Sequence, residues 1–237
     1  MFRLALNAGH YMGTPGKRCL GSLDLNETRE WWLNDRIADM IENKLKAYDG
    51  IEILRIDDTT GKTDVSLDDR TAKANKWDAD LWLGIHHNAG IKGGKGGGIV
   101  AIVYNKTKKQ ESIDWQKALY YSLITHTGLK GDRAEPLAKM NLHEVRETSM
   151  PAVLLELGFM DSATDVPIIL TDIFAEKCAD AIVDVIVERA ELTHQMSDID
   201  VLVSAGVITT PEYWEKLLPE VKYLPELFHN MAKKLRG

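Results

Sequence analysis

Short apolar runs alternate with amphipathic stretches from residue 2 to residue 191. Runs of four to eight apolar residues bounded by turn formers predict strands. They fall at residues 2–8, 51–56, 80–89, 99–104 and 151–159. Apolar positions spaced three and four apart predict helices over 25–48, 65–78, 109–127 and 173–191. In the first helix Leu33, Ile37, Met40, Ile41 and Leu45 form one stripe. Asp24 and Glu27 have the spacing of an N-cap and its third helical residue, so a capping box is expected there. Residues 142–146, Leu-His-Glu-Val-Arg, alternate like a short strand after an irregular polar stretch. Regular alternation of strand and helix implies an α/β fold: three αβα layers around a mostly parallel, twisted sheet.

The core pattern stops near Thr193. Beyond it, short apolar clusters predict helices over about 196–205, 211–217 and 221–235. Thr210-Pro211 suits a helix start, with Thr210 as N-cap and Pro211 at the first helical position. The expected organisation is a main domain over 1–193 and a small helical module over 194–237. About 40 residues rarely hold a core alone, so the module is expected to dock, self-associate or fold on a partner. Its six acidic residues against five basic ones argue against a polybasic anchor.

Composition narrows the classes. Apolar residues make up 44% of the chain and charged ones 27%, ordinary globular values. The net charge of −7 gives no electrostatic footprint for nucleic acid. The two cysteines, Cys19 and Cys178, lie far apart, which argues against a disulfide scaffold and a thiolate metal cluster. No apolar run approaches the length of a membrane span. The first residues are too short and too soon polar for a secretory leader, so synthesis in the cytoplasm is expected.

The candidate chemistry lies at element ends. The strand over 80–89 finishes in His86-His87-Asn88, and the first strand runs into Gly9-His10. Glu156 falls at the end of the interior strand over 151–159. Ligands in open α/β sheets collect at these carboxyl ends. Glu30 sits at the head of the first apolar stripe and points inward, where a carboxylate needs a cation or a metal. Each residue also has a plainer reading: turn histidines bonded to backbone, a first-turn glutamate stabilised by the helix dipole. Two histidines and a carboxylate would nevertheless suffice for a catalytic zinc, with a further carboxylate as general base. Neighbouring strand residues point to opposite faces, so a regular strand lets only one of His86 and His87 be a ligand. Spacing does not say which. Arg70 and Asn75 read as solvated or locally bonded helix residues. The loop 90–98, with six glycines, lacks a phosphate-cradle pattern and is expected to be a mobile rim.

Five segments, in order over residues 2–191, resemble the zinc-dependent N-acetylmuramoyl-L-alanine amidases of bacterial autolysins and phage endolysins. Leu6-Asn7-Ala8-Gly9-His10 is similar to that family's first-strand DPGH, with Asn and Ala replacing Asp and Pro. Residues 30–38 resemble the helix headed by a ligand glutamate, and residues 67–75 the LxxRxxxAN helix. Gly84-Ile85-His86-His87-Asn88-Ala89 resembles SIHAN, and residues 145–159 the block that carries the catalytic glutamate.

The resemblance implies zinc held by His10, Glu30 and His86, with Glu156 catalytic. It leaves His87 at an alanine position, expected to face solvent. Asn7 in place of Asp implies a weakened carboxylate partner for His10, and Gly84 in place of Ser a harmless change. His143, Glu144 and Arg146 are candidates to line the substrate groove. The implied substrate is peptidoglycan, cut between N-acetylmuramic acid and L-alanine, and the implied setting is a phage or prophage endolysin acting on the wall after release. No nucleic acid and no membrane span is expected, and the C-terminal helices could bind wall or mediate a homo-oligomer. Two alternatives compete: a non-catalytic wall-binding module on the same scaffold, and a zinc peptidase acting on another amide.

Overall fold

The computed structural model describes residues 1–236. The chain divides into two compact units, Met1–Thr193 and His194–Gly237. In the first, the elements run β1 (Phe2–Ala8), α1 (Glu30–Leu45), β2 (Ile51–Arg55), α2 (Leu67–Trp77), β3 (Leu81–Asn88), β4 (Ile99–Tyr104), α3 (Gln110–Thr127), β5 (Leu137–Met140), α4 (His143–Arg146), β6 (Ala152–Phe159), α5 (Val166–Ile169) and α6 (Asp172–Arg189).

The six strands form one sheet in the order β2-β1-β3-β6-β4-β5. The first four are mutually parallel; β4 runs antiparallel to β6, and β5 parallel to β4. The sheet is therefore mixed but mostly parallel, with helices on both faces. Strand alternation sorts the core. Leu4, Leu6, Leu81, Leu83, Ile85, Val153 and Leu155 face α1, α3 and α6. Ala5, Trp82, Ala152 and Leu154 face the other way, towards Ala74 of α2 and Val145 of α4. The long central strands are apolar on both faces, as a doubly covered sheet requires.

Three local expectations are corrected. Helix α1 begins at Glu30 rather than at residue 25. The Asp24 carboxylate accepts from the backbone N–H groups of Asn26 (3.0 Å) and Thr28 (2.7 Å), closing a local turn that competes with helix. Glu27, at φ +46°, lies in that turn and pairs with Arg18 at 3.3 Å, so there is no capping box. Residues His143–Arg146 form a helical turn instead of a strand, with Arg146 N–H donating to the Leu142 carbonyl (3.0 Å). Positions three apart share a face on a helix but not on a strand, so the helical turn lets Leu142 and Val145 pack on the same cluster. The glycine-rich loop is not a free rim. Asp161 Oδ2 accepts from the N–H groups of Gly90 (2.9 Å) and Lys92 (2.7 Å). Asp132 accepts from Gly97 (2.8 Å), and Asp165 from Gly98 (2.7 Å).

The second unit contains α7 (Asp198–Ser204), α8 (Pro211–Leu217) and α9 (Leu224–Leu235). Ile199, Leu202 and Phe228 make its small core, with the Trp214 ring 5.3 Å from Phe228. Ser197 and Asp200 close a capping box at α7. Thr210 occupies the N-cap position of α8 but makes no side-chain capping bond.

Candidate metal centre

The site is built where β1, β3 and β6 end and α1 begins. Leaving β1, the chain turns sharply at His10, whose backbone is left-handed at φ +69°. A non-glycine residue held there costs on the order of 1–3 kcal/mol, and Arg70 supplies the restraint. Buried on α2, Arg70 donates through Nη1 to Asn7 Oδ1 (2.7 Å) and the Ala8 carbonyl (3.0 Å). Its Nη2 donates to the His10 carbonyl (2.9 Å) and its Nε to the Val65 carbonyl (2.9 Å). Far from being solvated, Arg70 clamps the end of β1. Asn75 is structural too: it donates to the Glu147 carbonyl (2.8 Å) and accepts from the Ser149 N–H (2.8 Å), fixing the approach to β6.

Register and alternation arrange the rest. His86 of β3 pairs with Glu156 of β6, so the two side chains share a face beside each other. The register slips by one residue immediately afterwards, between His86 and Asn88. His87 takes the opposite face. It is buried rather than solvent-facing, and its Nδ1 lies 2.8 Å from Asn34 Oδ1 on α1. Burial pushes its pKa down to about 3, against the opposing pull of Glu30, so the ring is neutral. Asn34 in turn donates to the Gly9 carbonyl (3.1 Å). Gly9 is a close approach: a Cβ there would run into the His86 ring.

His10, Glu30 and His86 converge, with three candidate ligand atoms all within 4.8 Å of one another. Glu30 Oε1 lies 3.3 Å from His10 Nε2 and 3.3 Å from His86 Nδ1, and accepts from the His87 N–H (3.2 Å). Glu30 is 0% exposed. Burial alone would raise its pKa, but the two histidines prevail and hold it well below the usual range. Its Oε2 is buried without a hydrogen-bond partner; Lys17 Nζ approaches it as an ion pair at 3.3 Å. Two imidazole nitrogens and one carboxylate form the donor set of a catalytic zinc site, which leaves a position open for water or substrate. The residues present fit that group. Glu156 stands next to the cluster with Oε2 buried and unpartnered. Burial raises its pKa to about 7, with the nearby His86 pulling it back.

The residue behind His86 is one for which the sequence implied a different role, Glu144. Glu144 Oε1 lies 3.0 Å from His86 Nε2, and Glu144 Oε2 accepts from Asn7 Nδ2 (3.0 Å). Glu144 is buried and does not line a groove. Asn7 therefore serves Glu144 and Arg70 rather than His10. Gly84 has a consequence as well: a Cβ there would stand 2.7 Å from Glu144 Oε2. Burial weighs against a charged His86, yet Glu144 and then Glu30 outweigh it and raise its pKa to about 10 in the metal-free protein. Of the other groove candidates, His143 turns to Thr71 (3.3 Å) and Asp68 (3.5 Å), and Arg146 to Asn141 (3.0 Å) and Glu147 (2.6 Å). An open groove beyond the strand ends is lined instead by Asn88, Ala89, Val100, Arg133, Glu135 and Phe159.

Residues 4–188 match the family described as N-acetylmuramoyl-L-alanine amidase. The chain belongs to that family. Among its relatives, a sporulation-specific N-acetylmuramoyl-L-alanine amidase of Bacillus subtilis (strain 168) is 31% identical over 180 residues, 76% of this chain and 64% of the relative. The endolysin of Bacillus phage SPP1 is 37% identical over 130 residues, 53% of this chain and 46% of the endolysin. The chain thus spans about half to two thirds of the length of these relatives. The crystal structure of N-acetylmuramoyl-L-alanine amidase from Clostridium difficile 630 superposes with a TM-score of 0.70 at 25% identity, covering 80% of this chain and 97% of that one. The catalytic domain of CwlV from Bacillus (Paenibacillus) polymyxa var. colistinus shares the fold, with a TM-score of 0.70 at 23% identity over 81% of this chain and 100% of that one. The segment beyond residue 188 lies outside the family match.

Proposed function

We propose that the chain hydrolyses peptidoglycan at the amide between the lactyl group of N-acetylmuramic acid and L-alanine. The convergence of His10, Glu30 and His86, with Glu156 in register beside His86, carries this reading. His10, Glu30 and His86 would hold zinc. When bound, zinc supplies Lewis acidity, polarising the scissile carbonyl and acidifying water. Glu156 is the general base. Its unpartnered oxygen takes a proton from the attacking water as the new C–O bond forms. The same carboxyl then gives that proton to the departing nitrogen as the C–N bond breaks, leaving a lactyl carboxylate and a free L-alanine amine. Arg70 and the Gly9 turn keep His10 in place. The groove lined by Asn88, Arg133 and Glu135, beside the ends of β3 and β6, offers polar groups to a stem peptide.

For the setting we favour an endolysin, supported by the 37% identity to the SPP1 protein. Among the described residues no helix is long and apolar enough to cross a membrane. The C-terminal unit is read as a wall-targeting or self-associating module.

Turbidity of vegetative cell suspensions tests the assignment. The wild-type protein clears them, and Glu156→Ala lowers the rate by about 100-fold or more while keeping its zinc. Substantial lysis by Glu156→Ala would remove Glu156 from the reaction. Activity confined to spore cortex would replace the endolysin role with a sporulation role.

A further inference from the structure

We propose that Glu144 is a positioning residue for the metal site, orienting His86 and fixing its tautomer, and that it supplies the buried carboxylate absent at position 7. This rests on the zinc reading above. His86 offers its Nδ1 towards Glu30 and His10, while its Nε2 points the other way, 3.0 Å from Glu144 Oε1. Only the tautomer that carries its proton on Nε2 leaves Nδ1 bare for a metal. A carboxylate acceptor at Nε2 selects that tautomer, holds the ring plane and makes Nδ1 a better donor.

Glu144 is itself held. Its second oxygen accepts from Asn7 Nδ2 (3.0 Å), and the Asn7 carbonyl oxygen accepts from Arg70 Nη1 (2.7 Å). Glu144, Asn7 and Arg70 are 5%, 0% and 2% exposed, so the network is closed to water and each member is bonded. The same Arg70 holds the His10 carbonyl through Nη2 (2.9 Å). One buried chain thus runs from His86 through Glu144, Asn7 and Arg70 to His10, joining two of the three proposed ligands behind the site.

This arrangement accounts for two departures from the family pattern together. An aspartate at position 7 would face Glu144 Oε2 at the present 3.0 Å contact, setting two carboxylates against each other inside the protein. Asparagine replaces that clash with a donated hydrogen bond. A serine at position 84 would put its Cβ 2.7 Å from Glu144 Oε2, and glycine leaves the space open. Asn7, Gly84 and Glu144 form one coupled set.

The test compares the full-length wild type with Glu144→Leu and Glu144→Gln. Zinc affinity is read by competition with a chromophoric chelator. The His86 ring is read by nitrogen NMR on the zinc-loaded, histidine-labelled protein, through the protection of its Nε2–H from exchange, and the fold by circular dichroism. The leucine variant should bind zinc about 10- to 100-fold more weakly and lose the exchange protection of its His86 Nε2–H. Glutamine keeps an acceptor but not the charge, so it should fall between leucine and wild type. If the leucine variant does not fold, the glutamine variant decides alone. Wild-type affinity and wild-type protection of the His86 Nε2–H in a folded variant would overturn the role of Glu144 and leave the amidase reading standing. A wild-type protein that holds no zinc would overturn both.

Discussion

Four residues carry the proposed chemistry, and the chain singles each out by its place against an apolar run. His10 and His86 stand where such runs give way to polar residues, Glu30 opens α1, and Glu156 is the one carboxylate inside the buried run of β6. Alternation decides which of the adjacent histidines joins the cluster: His86 shares the face of Glu156, and His87 packs on Asn34. Glu144, expected to line the groove, was given the wrong role because its partners lie 137 and 58 residues away in sequence, at Asn7 and His86. Nothing local marks a buried carboxylate on a single helical turn. Arg70 was hidden for the same reason. Its helix is polar enough to look solvated, and only the tertiary fold turns the guanidinium onto the end of β1.

A pH prediction belongs to Glu156. Its folded pKa is raised from 4.5 to about 7, chiefly by burial. In the zinc-free protein, the unfolded chain gives up this proton from about pH 4.5 upward while the folded chain keeps it. Stability is therefore lost as pH rises through that window and stays lost above about pH 7. Glu156→Gln removes the titration. Denaturant unfolding of the zinc-free proteins should find the variant more stable than wild type by about 1–3 kcal/mol near pH 8, with the gap closing towards about pH 5. A gap that is equal at both pH values would show that Glu156 is not held protonated by its surroundings.

Among the elements, the long ones were read well and the short ones poorly. Helices α3 and α6 and strands β1, β3, β4 and β6 bury enough apolar surface for their periods to dominate. Errors fall where a side chain offers the backbone another partner. Asp24 captures two N–H groups and delays α1 by about one turn, which puts Glu30 at the helix start and aims it at the strand ends. Strand β5 escaped notice because it is a four-residue edge with one apolar residue facing each way at its start and polar or exposed residues after it. The glycine-rich loop misled by composition. Its backbone N–H groups are unusually accessible, and Asp132, Asp161, Thr164 and Asp165 take them up, so the loop becomes a fixed wall.

At the scale of the whole molecule, the two compact units divide the work under the proposed reading: chemistry in the first, targeting or self-association in the second. The second unit has a core of only a few residues, and it exposes Tyr213, Tyr223, Leu227 and Leu235. A chain truncated at His194 should keep its activity on soluble muropeptides and lose binding to intact walls, measured by co-sedimentation. Undiminished wall binding by the truncated chain would place recognition in the first unit.

Mass spectrometry of peptidoglycan digested by the full chain, with and without a zinc chelator, reads directly which bond is cut and with what metal. The expected products are free stem peptides beginning with L-alanine and glycan strands that carry intact lactyl groups, with no release once zinc is chelated and until it is restored. Cuts within the stem peptide or between sugars, or release that persists after zinc is removed, would contradict the zinc amidase reading.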